Sequence, residues 1–115
     1  MFDFEKLDVY QIVKEQNIKA LKYIYGHAQL DEYIKDQWKR ASLSTLLNLA
    51  EGTGQMTNPD KKHYLTVARG SVFESVAILE TIKGLNLIED SIFKEFYNNY
   101  ETISKMLLGM FRSYN

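Results

Sequence analysis

Between Gln37 and Gly52 the chain carries five polar residues, Gln37, Arg40, Ser44, Asn48 and Glu51, at intervals of 3, 4, 4 and 3. On a helix turning about 100° per residue they share one stripe. Most of the remaining circumference is apolar, with Trp38, Leu43, Leu46, Leu47, Leu49 and Ala50. Their arc spans roughly 200°, about twice what a surface helix needs to seat itself on one core. A helix of this kind has more to bury than one neighbour can cover. Leu43, Leu46, Leu47 and Leu49 are therefore expected to contribute to an interface between copies of the chain, since a permanent interface resembles a core cut in two.

The rest of the composition sets bounds on what such a helix can belong to. At 115 residues the chain forms one domain, residues 1–115, and folding removes roughly two thirds of its unfolded surface from water. Fourteen basic and fifteen acidic side chains leave a net charge of -1, so no long-range field draws the protein to nucleic acid or to an anionic membrane. The chain has no cysteine, which excludes disulfides, thiolate metal sites and a cysteine nucleophile. No apolar run approaches the roughly 20 residues that span a bilayer, and Met1 to Lys6 is not a secretory signal. The expected location is the cytoplasm, with no membrane partner.

Hydrophobic residues recur every three or four positions throughout, with one proline and six glycines to interrupt them. Four helices are predicted, at about Glu5–Tyr25, Asp31–Gly52, Pro59–Lys83 and Glu89–Ser113. Asp3 is the expected N-cap of the first, whose inner face reads Leu7, Tyr10, Val13, Asn17, Leu21 and Ile24. Asp31 opens the second. Thr57-Asn58-Pro59-Asp60 opens the third with a capping hydroxyl, a proline in the first turn and an acid. The third helix turns Leu65, Ala68, Val72, Ser75, Leu79 and Ile82 inward, and Gly70 in its middle suggests a backbone passing close by. Phe93, Phe96, Tyr100, Ile103, Leu107, Met110 and Tyr114 form a seam on the fourth. Short connections force antiparallel neighbours, so the predicted fold is all-α, an antiparallel up-down four-helix bundle.

Three separated motifs carry a family resemblance. They are Phe4, Leu7, Tyr10 and Gln11; then Gln37, Arg40, Ala41, Ser44, Asn48, Ala50, Glu51 and Gly52; then Ala68, Arg69, Gly70, Ser71 and Glu74. In that order the chain resembles the bacterial S23 ribosomal, or ribosomal intervening-sequence, protein family, to which accessory variability determinant proteins of retroelements are related. The resemblance implies a four-helix bundle that assembles into a homopentameric ring without enzymatic activity. It also implies, in some relatives, binding to nucleic acid or to a nucleoprotein partner. Two positions depart from the family pattern. Leu46 stands where proline is frequent, which predicts a straighter second helix, and Gln55 where arginine is frequent, which removes a positive charge.

Other chemistry finds little to rest on. Glu-x-x-His on two helices would mark a bundle metal site, and the chain has only Asp60-x-x-His63, once. Neither a nucleophile elbow nor a phosphate loop is present, since Gly52-Thr53-Gly54 follows a helix and lacks the trailing lysine. No catalytic residue, cofactor or metal is expected. The polar stripe reads either as a solvated face or as a half-buried seam with Ser71 and Glu74. In the second case Arg40 pairs with Glu74 or Glu51, and breaking such a buried pair from one side costs about 3–5 kcal/mol. Lys35, Lys39, Lys61, Lys62 and Arg69 are the candidate nucleic-acid contacts. The leading expectation is a non-enzymatic scaffold or adaptor that associates with itself; the alternative is an RNA- or DNA-binding accessory protein.

Overall fold

Side-chain caps and one left-handed residue divide the chain into its helices. The computed structural model describes Met1–Asn115, with α1 at Asp8–Gly26, α2 at Glu32–Thr53, α3 at Asn58–Gly84 and α4 at Asp90–Ser113. The Asp31 carboxylate accepts from the Ile34 amide at 3.2 Å and the Thr57 hydroxyl from the Asp60 amide at 3.3 Å. Each satisfies an amide that helix geometry leaves without a partner. Between α3 and α4 the chain reverses at Asn86, whose φ of 59° is the one positive value outside glycine. Asparagine tolerates that region better than most residues. Lys83 and Asp90 then close the corner with a 3.2 Å ion pair.

The start of α1 differs from expectation. Asp3 does not cap it; Asp3–Lys6 forms a single 3-10 turn, and α1 begins at Asp8 after an extended Leu7. Glu5 explains the offset, because its carboxylate accepts from the Phe2 amide at 3.0 Å and its carbonyl takes the Gln11 side chain at 3.1 Å. The inner face of α1 is also rotated. Val9, Gln16 and Ala20 join Val13, Asn17 and Ile24 inside, while Tyr10 and Leu21 are half-buried. Gln16 is drawn inward by a backbone acceptor, the Phe96 carbonyl at 3.0 Å.

Each helix packs on its sequence neighbours and α4 returns against α1, giving a square bundle of 44 × 21 × 21 Å. All six residues predicted to face inward on α3 are buried, as are Phe96, Tyr100, Ile103 and Leu107 of α4. At the centre Trp38 of α2 donates its indole N–H to the Tyr100 hydroxyl of α4 at 2.9 Å, and the two rings bracket Phe96. Burial raises the Tyr100 phenol above its ordinary pKa, and its polar neighbours Trp38, Ser42 and Ser75 pull it part of the way back.

Gly70 is not a point of close approach, since an added Cβ there would meet nothing within 4 Å. Among the glycines the tight contact is at Gly52, where a Cβ would lie 3.1 Å from the Tyr64 Cβ. The inner stripe of α2 explains why the helices come so near: apart from Trp38 and Leu49 it is small, with Ala41, Ser42, Thr45 and Gly52. No helix is long and apolar enough to cross a membrane.

Candidate self-association surface

The broad apolar arc of α2 is divided by the bundle. Trp38 and Leu49 face the core and are fully buried. Leu46 packs at the margin of the core. Leu43 and Leu47 stay outside at 42% and 55% exposure. The expectation that Leu49 belongs to an intersubunit face is therefore corrected: at 0% exposure it fills the subunit's own interior. It lies two residues beyond Leu47, about 200° around the helix at 100° per residue, and so points away from it. Leu43 and Leu47, four residues apart, form a ridge along the outer side of α2.

The polar stripe borders that ridge on the side facing α3, and it is a half-buried seam. The Ser71 hydroxyl donates to the Ser44 hydroxyl at 2.8 Å. Asn48 turns back on its own helix, donating to the Ser44 carbonyl at 2.8 Å and to the Ser44 hydroxyl at 3.1 Å. Arg40 reaches across to Glu74 and donates to the Gln37 side-chain carbonyl at 3.1 Å. Of the two predicted partners, Glu74 is thus the one that holds Arg40. The pair is not buried: its side chains are 57% and 43% exposed, and the large penalty expected for breaking a buried pair does not apply. Glu51 is exposed, and Gly52 is buried at the close approach to Tyr64.

A second apolar feature lies between α3 and α4, a groove of about 310 Å³. Its floor is Leu65 and Leu107, its walls Phe73, Leu108 and Phe111, and Gly70 leaves its middle without a side chain. Phe73 is 57% exposed. Arg69 spans the groove, donating through Nε to the Ser104 carbonyl at 3.3 Å while its guanidinium lies 4.9 Å from the Phe73 ring centre. Residue order did not point to this groove, since Gly70 and the small residues around it suggest a closely packed backbone, whereas the space beside Gly70 is open. Phe73 and Phe111 could not be placed beside them without knowing the α3–α4 register.

The five candidate nucleic-acid contacts do not converge. Lys35 pairs with Glu32 at 3.4 Å, and Lys39 with Asp36 at 3.7 Å while covering the Tyr25 ring. Lys61 donates to the Thr53 carbonyl at 3.1 Å, and Lys62 lies 4.5 Å from the Phe111 ring centre. Lys35 and Thr53 are separated by about 27 Å along α2 at 1.5 Å per residue, so the two lysine pairs occupy opposite ends of the bundle. His63 and Asp60 are both exposed at the start of α3. His27, the C-cap of α1, stacks on Tyr23, with Nδ1 2.7 Å from the Tyr23 carbonyl oxygen, where a donor is favoured.

Residues 5–109 match the family model described as 23S rRNA-intervening sequence protein. A crystal structure of a protein of unknown function from the S23 ribosomal protein family of Bacteroides thetaiotaomicron superimposes with a TM-score of 0.85. It is 18% identical and covers 90% of this chain and 97% of its own. At that identity it shows a shared fold. No curated protein is detectably similar in sequence.

Proposed function

The chain belongs to the 23S rRNA-intervening sequence protein family, and from that premise we propose that it is a non-enzymatic scaffold or adaptor that works as a closed homo-oligomer. The observation that carries this reading is the Leu43–Leu47 ridge, which stands exposed in the middle of a long helix while Phe73 stands exposed beside an open apolar groove. Isolated surface leucines are ordinary, whereas contiguous exposed apolar patches and grooves mark interaction sites. Five copies, the number implied by the family resemblance, is the form proposed. Closed point-group symmetry is the common arrangement of soluble homo-oligomers.

Binding to RNA or DNA has weaker support. Phosphate recognition needs several uncompensated cations, and of the five candidates Lys35 and Lys39 are paired with acids of their own helix, which leaves Lys61, Lys62 and Arg69. Native mass spectrometry tests the scaffold reading: an assembled species is expected at micromolar concentration, and a lone 13.4 kDa particle contradicts it. Fluorescence anisotropy with RNA at low salt tests the alternative, and the expected outcome is no saturable binding.

A further inference from the structure

The exposed ridge and the open groove lie on different sides of one subunit, and their heights along the bundle are fixed relative to each other. The Ser44–Ser71 hydrogen bond and the Arg40–Glu74 pair set the antiparallel register of α2 on α3. In that register Leu43 lies level with Ser71 and Val72, and Leu47 with Val67 and Ala68. The ridge thus stands at the height of the groove. A rotation about an axis parallel to the helices, with no translation along it, can bring the ridge of one copy opposite the groove of the next.

We infer that subunits join head to tail, with the Leu43–Leu47 ridge of one copy seated in the α3–α4 groove of its neighbour. This rests on the self-association proposed above and specifies its interface. The contact is heterologous, joining two different surfaces, and repetition about an axis closes a ring.

Shape and charge both favour this pairing. Leucine side chains on a convex helix fit a groove whose centre, at Gly70, has open space where a Cβ would project. Two ridges packed on each other across a two-fold axis would leave Phe73 and the groove uncovered, whereas ridge in groove covers both apolar features in one contact. The ridge ends at Glu51, while Lys62 lies against Phe111 beside the groove and Arg69 spans it. None of these three forms an ion pair within its own subunit. In the shared register Glu51 lies between the heights of Lys62 and Arg69, so the acid of one copy meets cations that have no acidic partner in their own subunit.

Mixing two assembly-defective variants tests the geometry. The ridge variant combines Leu43→Glu with Leu47→Glu, and the groove variant is Gly70→Trp. All three positions are exposed, so each subunit is expected to fold, with helicity verified by circular dichroism. Each variant alone is expected at the 13.4 kDa subunit mass. Their equimolar mixture is expected to form a one-to-one dimer and nothing larger, because the pair retains one working ridge and one working groove. Phe73→Glu serves as the groove variant if Gly70→Trp loses helicity. An assembled wild type with a mixture that stays monomeric overturns the head-to-tail contact and leaves the scaffold reading standing. So does a groove variant that assembles like wild type, which would indicate ridge against ridge. A monomeric wild type overturns both.

Discussion

Trp38 and Tyr100 show how much a single buried hydrogen bond decides in this core. Both side chains are almost fully buried, and the Tyr100 hydroxyl is the acceptor for the indole N–H. Tyr100→Phe keeps the ring and strands that donor. The expected loss is about 1–3 kcal/mol, the cost of a buried polar group without a partner, measured by urea unfolding near neutral pH. The raised phenol pKa adds a pH signature. Above about pH 10 the unfolded chain ionises Tyr100 first, so the folded state binds the extra proton and wild-type stability falls as pH climbs towards the raised folded value. Phenylalanine has no such proton, and the gap between wild type and variant is expected to narrow over that range. Arg40 and Glu74 behave differently because water reaches both. Glu74→Gln is expected to cost at most about 1 kcal/mol, with the difference shrinking further in 1 M salt. A loss several times larger in the same unfolding experiment would mean that the pair is covered in the assembled protein.

Along the elements, the glycines separate close packing from mere tolerance. Gly52 marks the point where α2 and α3 nearly touch, and Gly52→Val forces Tyr64 to move; overpacking of this kind costs about 1–3 kcal/mol. Gly109, with nothing within 4 Å of an added Cβ, sits inside α4, where Gly109→Ala is expected to stabilise by up to about 1 kcal/mol through helix propensity alone. Thermal melts of the two variants should shift in opposite directions. The same contrast shows what could be read from residue order. The faces of α3 and α4 were legible because large apolar residues repeat there at one helical spacing. The α1 face was not, because Gln16 lies inside to reach the Phe96 carbonyl, and residue type alone assigns a glutamine to solvent. In α2 the apolar width was legible but its division was not, since Leu47 and Leu49 are the same residue on opposite sides. The small stripe Ala41, Ser42, Thr45 and Gly52 was the available clue, as small residues line the side on which helices approach most closely. For the candidate surface, Leu43, Leu46 and Leu47 could be proposed from spacing. The groove at Phe73 required the register of two helices, which spacing within one helix does not contain.

For the whole molecule, stability and assembly are expected to be one measurement. A subunit that covers its ridge and groove only in an oligomer gains free energy on association, and a folded state that binds copies of itself is stabilised by mass action. The melting temperature should therefore rise with protein concentration, whereas a bundle complete in itself melts at one temperature at every dilution. Scanning calorimetry or circular dichroism over a hundredfold concentration range reads the difference directly. The Leu43→Glu, Leu47→Glu variant supplies the control. Both leucines are exposed in the isolated subunit and their replacement leaves Trp38, Leu49 and the rest of the core in place. Its melt should lose the concentration dependence and fall near the wild-type value at high dilution. Concentration-independent melting of the wild type would instead show that the outer leucines are ordinary surface residues, and the excess width of α2 would then have no energetic consequence.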